Sequence, residues 1–158
     1  MNALIFAAGL GTRLKPLTDT MPKAMVPING KPLIQILIEK LKGIGVTEIV
    51  VNVHHFAQQI IDFVESHSSF GVTIKFSDET AMLLETGGGL KQAARLFTND
   101  EPILVHNVDI LSNADLLSLY ERSASTTMLV SQRTTRRYLL FDRANRLVGW
   151  TNIATGEI

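Results

Sequence analysis

Apolar positions along the chain change their period several times, and each change marks an element. Ala3–Ala8 is a continuous apolar run of strand length. Between Pro32 and Lys42 the apolar residues fall at Leu33, Ile34, Leu37, Ile38 and Leu41, the spacing of one helix face, and Gly43 and Gly45 stop it. Glu48–Val53 is β-branched and apolar, a strand. Ala57–Ser66 carries a second helical stripe through Ile60, Ile61 and Val64. Val72–Phe76 alternates as a strand does, Leu90–Phe97 is helical, and Pro102–Val105 is a strand. Asn113–Arg122 reads as a helix capped by Ser112 or Asn113. Thr126–Ser131 reads as one more strand, and Tyr138–Phe141 with Arg146–Trp150 as a hairpin about Asp142–Asn145.

Strands and helices that alternate in this way predict an α/β fold, a mostly parallel sheet with helices on both faces. Ligands of such sheets sit beyond the carboxyl ends of the strands, where the strand order reverses. The loops at 9–23, 84–89 and 106–111 each adjoin such an end, and they are expected to converge on one site.

Bulk composition narrows the partners. With 158 residues, 46% apolar and 19% charged, the chain has enough material for one folded domain. Fifteen basic and fifteen acidic residues cancel, so no net field draws it to nucleic acid or to an anionic membrane. The absence of cysteine removes disulfides, thiolate nucleophiles and cysteine metal sites, and fits a cytoplasmic protein. The first apolar run is too short for a membrane span.

The chemistry begins where the first strand ends. Gly9 and Gly11 let backbone N–H groups approach a phosphate closely. Arg13 adds a planar, permanent cation suited to the β- and γ-phosphates of a nucleoside triphosphate, and Lys23 a compact charge suited to the α-phosphate. A Walker A loop is excluded, because Gly11-Thr12-Arg13 stands where Gly-Lys-Ser/Thr is needed. A dinucleotide fingerprint is excluded by Leu14 at the place of its third glycine.

The run Ala7-Ala8-Gly9-Leu10-Gly11-Thr12-Arg13-Leu14-Lys15-Pro16-Leu17-Thr18, followed by Pro22–Pro27 and Gly30–Leu33, resembles the signature of the sugar-1-phosphate nucleotidyltransferases. The resemblance implies a Rossmann-like, three-layer α/β/α fold. It also implies a reaction in which a nucleoside triphosphate and a sugar 1-phosphate give a nucleotide sugar and pyrophosphate, with Mg²⁺. Leu84-Glu85-Thr86-Gly87-Gly88-Gly89 looks most like the loop of N-acetylmuramate-1-phosphate uridylyltransferases, which favours UTP. By that likeness Thr86, Gly87 and Gly88 line the nucleoside pocket, Ala8, Gly9, Gly11 and Thr12 bind the nucleotide from the glycine loop, and Glu85 meets the sugar. Asn107 and Asp109 match the family's Asn-Gly-Asp, in which the aspartate holds Mg²⁺. Val108 replaces the glycine, and a side chain there is expected to crowd the nucleotide or shift Asp109. Arg13, Lys23 and Asp109 are thus the expected catalytic residues. A phosphate monoester is already ionised near neutral pH, so no general base is called for.

Other family substrates remain open: mannose or glucose 1-phosphate with GTP, UTP or dTTP, and phosphocholine with CTP. A reading of another class is a non-catalytic nucleotide-sugar sensor. The family's second metal aspartate and its Glu-Lys-Pro segment have no match within residues 1–158, where Trp150-Thr151-Asn152 stands in place of the latter. The chain is therefore expected to be the N-terminal portion of a nucleotidyltransferase domain and to turn over poorly by itself. His54 and His55, being adjacent, point apart and are not expected to share a metal. Asp78 and Glu79 are candidates for substrate contact, with a solvated loop the favoured expectation, and Arg133, Arg136 and Arg137 are expected on a charged surface.

Overall fold

The computed structural model describes residues 1–122 and 124–158. They form two compact units, Met1–Ser123 and Ala124–Ile158. The first contains, in chain order, β1 (Asn2–Phe6), the short strands β2 (Pro27–Ile28) and β3 (Lys31–Pro32), α1 (Leu33–Gly43), β4 (Glu48–Val53), α2 (Ala57–Ser66), β5 (Thr73–Asp78), α3 (Glu85–Ala94), β6 (Ile103–Asn107) and α4 (Leu116–Tyr120). The second contains β7 (Arg137–Phe141) and β8 (Leu147–Asn152).

A four-stranded sheet in the order β5-β4-β1-β6 organises the first unit, and all its pairings are parallel. Phe6 at the end of β1 lies in register with Asn52 on one side and Asn107 on the other. The chain steps outward from β1 to β4 and β5, then returns across the sheet to β6. Its order therefore reverses beside β1, which makes the carboxyl edge there the natural ligand crevice.

Alternation along the strands divides the core into two layers. Ala3, Ile5, Ile49, Val51 and Val53 pack with Leu33, Ile34, Leu37, Ile38 and Leu41 of α1 and Ile60 and Val64 of α2. Their neighbours Leu4 and Val50 turn to the opposite face and meet Ala93 of α3, with Phe6, Leu96, Phe97 and Ile103 around them. Helices thus cover both faces, as the alternating pattern requires. Each aliphatic side chain so buried contributes roughly 1.5–3 kcal/mol, and together these fix the strand register.

Three expectations are corrected. Helix α3 starts at Glu85 rather than Leu90, so the three glycines lie inside its first turns instead of before them. Helix α4 is only Leu116–Tyr120, capped by Asp115. The Asp115 carboxylate accepts from Ser118 N–H at 3.0 Å and from the Ser118 hydroxyl at 2.7 Å. Ser112, the expected cap, instead has its carbonyl bound by Lys40 Nζ at 2.7 Å. Thr126–Ser131 is not a strand, since no ladder partner lies beside it among the described residues and Met128, Leu129 and Val130 are exposed. The hairpin is as expected. Leu139 pairs with Trp150, and Asp142 closes the turn by accepting from Ala144 N–H and Arg146 N–H, each at 2.9 Å.

At the amino edge of the sheet Glu48 is buried, only 5% exposed. It accepts from Lys75 Nζ at 2.7 Å, Thr98 Oγ1 at 2.8 Å and Thr98 N–H at 3.2 Å. Desolvation pushes its carboxyl up, but the bonds from Lys75 and Thr98 outweigh this and hold it below the ordinary value. A depressed folded-state pKa stabilises the fold above the unfolded value of about 4.3, and that stability is lost as pH falls through the folded value. Thermal melts should therefore show Glu48→Gln less stable than wild type at pH 7, by about 1–3 kcal/mol. The gap should narrow as pH falls below about 4; a gap that does not change with pH would contradict the assignment.

Candidate nucleotide site

The loop after β1 is shaped by a few contacts. Gly11 sits at φ +66°, and a Cβ there would lie 2.8 Å from Thr18 Cγ2, so both conformation and space call for glycine. Thr18 is buried and donates its hydroxyl to the Gly11 carbonyl at 2.9 Å, closing the loop on itself. Gln59 of α2 binds the Thr20 carbonyl at 3.0 Å and ties the far arm down. Lys23 opens a short 3₁₀ turn, and its neighbour Ala24 is wholly buried in the core, so the base of the lysine is fixed by packing.

Two cavities open at this edge. The first, about 240 Å³, is lined by Phe6, Ala7, Ala8 and Gly9 on one wall and Leu83, Glu85 and Thr86 on another. Asn52, Glu79, Asn107 and Val108 complete its lining. The second, about 450 Å³, includes Arg13, Val26, Ile28, Leu33 and Leu111. Lys23 and Asp109 line both cavities and form an ion pair with each other where the two meet. The three loops singled out in the sequence therefore converge. Ala8, Gly9, Lys23, Glu85, Thr86, Asn107 and Asp109 come together in the first cavity, and Arg13 joins Lys23 and Asp109 in the second. Gly11, Thr12, Gly87 and Gly88 line neither. Gly11 shapes its loop from within, while Gly87 and Gly88 belong to α3.

Val108 lines the first cavity but is otherwise built into the core. Its side chain is 3% exposed and belongs to the main core, and its N–H donates to the Phe6 carbonyl at 3.0 Å. The backbone that carries Asp109 outward is thus anchored to β1. His54 and His55 belong to no cluster of three or more His, Asp or Glu side chains able to hold a metal among the described residues.

Two further residues build this edge, Asn52, which the sequence did not single out, and Glu79, which it placed elsewhere. Asn52 is buried in β4, and its Oδ1 accepts from Ala7 N–H at 2.6 Å and Ala8 N–H at 3.1 Å. Its Nδ2 donates to Glu79 Oε1 at 2.9 Å, and Glu79 Oε2 accepts from Leu84 N–H at 3.0 Å. Glu79, expected in a solvated loop, is 2% exposed. The signal for Asn52 was a lone amide among the apolar, fully buried residues that follow Glu48 in β4, which must find partners. Gly89 lets α3 close over this pair: a Cβ there would lie 2.7 Å from Glu79 Oε1, 3.2 Å from Asn52 Nδ2 and 3.3 Å from Phe6 Cε1.

Residues 2–138 match the family model described as nucleotidyl transferase. The chain belongs to the nucleotidyl transferase family. It is 43% identical over 125 residues to an N-acetylmuramate alpha-1-phosphate uridylyltransferase of Neisseria meningitidis, covering 79% of this chain and 54% of that protein. To the protein of the same name from Caulobacter vibrioides it is 42% identical, covering 68% of this chain and 45% of the relative. The chain thus spans about half the length of these curated relatives. Among solved structures, HddC from Yersinia pseudotuberculosis complexed with GMP-PN superposes with a TM-score of 0.61 at 36% identity, over 68% of this chain and 47% of that one. The parallel sheet and its helices are the Rossmann-like fold of these nucleotidyltransferases. Among the described residues no helix is long and apolar enough to cross a membrane.

The glycines of α3 should separate by position. Gly89→Ala is expected to destabilise the protein by about 1–3 kcal/mol, because its methyl meets a carboxylate that two hydrogen bonds hold in place. Gly87→Ala, whose Cβ meets nothing within 4 Å, should be neutral or stabilising by up to about 1 kcal/mol. Urea unfolding of both variants checks the contrast, and equal effects would refute it.

Proposed function

We propose that this chain carries the nucleotide-binding and transfer residues of a sugar-1-phosphate nucleotidyltransferase, with UTP the favoured triphosphate. The observation that carries the reading is the meeting of two cavities at the Lys23–Asp109 pair. The nucleoside is assigned to the first cavity, between Ala8-Gly9 and Glu85-Thr86. The triphosphate then passes Lys23 toward Arg13, which offers a planar donor set to its outer phosphates. UTP is favoured because the Neisseria and Caulobacter relatives are uridylyltransferases.

In the proposed reaction an ionised oxygen of the sugar 1-phosphate attacks the α-phosphorus. The bond to the bridging oxygen of the β-phosphate breaks, and pyrophosphate leaves with its electron pair. No proton need move. The work left to the protein is to hold the reacting phosphates in line and offset their charge. Lys23 neutralises the α-phosphate, Arg13 grips the leaving pyrophosphate, and the Ala8–Gly9 wall bounds the nucleoside.

The donor set at the cavity junction fits a hard divalent ion. Asp109 offers a carboxylate oxygen there, and Mg²⁺ takes much of its shell from water and phosphate. Asp109 is the residue that would hold it. When bound, Mg²⁺ would supply charge neutralisation on the phosphates. We assign it as the cofactor and the cytoplasm as the compartment.

A thermal-shift screen of UTP, GTP, CTP, dTTP and ATP with Mg²⁺ tests the assignment, since a ligand of the folded state raises the melting temperature. UTP should give the largest shift. Arg13→Ala should weaken triphosphate binding by about tenfold or more. Asp109→Asn should lower pyrophosphate release with a sugar 1-phosphate by more than ~100-fold. Unchanged binding in Arg13→Ala would remove the triphosphate reading. Tight binding by wild type with no pyrophosphate release from any sugar 1-phosphate would favour a nucleotide-sugar sensor.

A further inference from the structure

Resting on the nucleotide assignment above, we propose that Asn52 and Glu79 are positioning residues: a buried relay that locks the two walls of the nucleoside cavity to each other. The relay has no gap, and donation from both walls converges on the Glu79 carboxylate. Ala7 and Ala8 N–H groups on the first wall donate to Asn52 Oδ1 at 2.6 and 3.1 Å. Asn52 Nδ2 donates to Glu79 Oε1 at 2.9 Å. Glu79 Oε2 accepts from Leu84 N–H on the second wall at 3.0 Å. Asn52 is only 3% exposed and Glu79 2%, so water is no ready substitute for a lost partner.

The second wall needs such a hold. Glu85, the first residue of α3, stands at φ +58°, a left-handed conformation that costs a non-glycine residue about 1 kcal/mol or more. It follows directly on Leu84, where the relay ends, and both Glu85 and Thr86 line the cavity. The hydrogen bond from Leu84 thus pins the corner from which the strained residue turns. Gly89 serves the same relay from the other side, because any side chain there would strike Glu79 and Asn52. The walls come from segments 77 residues apart in the chain, Ala7 and Leu84, and the relay supplies a fixed link between them.

The polarity of the relay gives a test that separates positioning from direct contact. Glu79→Gln sets an amide N–H against either Asn52 Nδ2 or Leu84 N–H, and one link fails. Asn52→Asp sets two carboxylates against each other. The double variant Asn52→Asp/Glu79→Gln restores every link, with donor and acceptor exchanged only between positions 52 and 79. The carboxylate introduced at position 52 would accept from Ala7, Ala8 and the new amide at position 79, whose oxygen would accept from Leu84. The net charge is unchanged.

Two readouts are needed: hydrogen exchange at the Ala7, Ala8 and Leu84 amides without ligand, and UTP affinity by calorimetry with each variant confirmed folded by circular dichroism. In Glu79→Gln, exchange should rise by about tenfold at Ala7 and Ala8 if the Asn52 link fails, or at Leu84 if that link fails, and UTP affinity should fall by about tenfold. The double variant should return both toward wild type even if Asn52→Asp alone does not fold. Unchanged exchange at Ala7, Ala8 and Leu84 alike in Glu79→Gln would overturn the relay whatever the protein binds. Restored exchange without restored affinity in the double variant would show that the Glu79 carboxylate acts on the ligand directly, which overturns the positioning role. Wild-type protein that binds no triphosphate would refute the functional reading instead, and the exchange experiment would still decide the link between the walls.

Discussion

Past Phe6 the first strand leaves the sheet, and the amides of Ala7 and Ala8 enter a buried corner without strand neighbours to receive them. One side-chain oxygen, Asn52 Oδ1, takes both. That interaction fixes the direction in which the glycine loop departs, and the rest of the site depends on it. Because Asn52 is itself held by Glu79, and Glu79 holds Leu84, the exit of β1 and the entry to α3 are settled together. On the other side Val108 N–H is bound to the Phe6 carbonyl, so the segment bearing Asp109 is referred to the same strand end. Three loops distant in sequence thereby take their positions from the end of a single strand.

The elements were legible because burial writes a period into the sequence. The stripe Leu33–Leu41 and the run Glu48–Val53 could each pack in one way only, and both stand where the pattern put them. Thr126–Ser131 shows the limit: its residues suit a strand, but a strand is a relation between two segments, and composition does not supply the second. The start of α3 was misplaced for a related reason. Three consecutive glycines disfavour a helix by about 1 kcal/mol each, yet tertiary packing at Gly89 and Ala93 wins.

The site was legible in its charges and less so in its supports. Arg13, Lys23 and Asp109 announce themselves because ionised groups in a strand-end loop have few structural uses. Asn52 and Glu79 do their work by being buried, and burial of a polar residue is visible only when its partners are. The lone amide within Glu48–Val53 was the sign available, and its meaning required knowing that β4 lies beside β1.

The ion pair between Lys23 and Asp109 gives the site a rule of exchange. Left alone, the two charges answer each other. A simple anion that captures the ammonium strands the carboxylate beside it, and the gain at one residue is set against the loss at the other. Only a guest that arrives as a salt, anion and countercharge together, gives both residues a new partner at once. Under the nucleotide assignment proposed above, the pair would select a guest by its composition as well as by its shape.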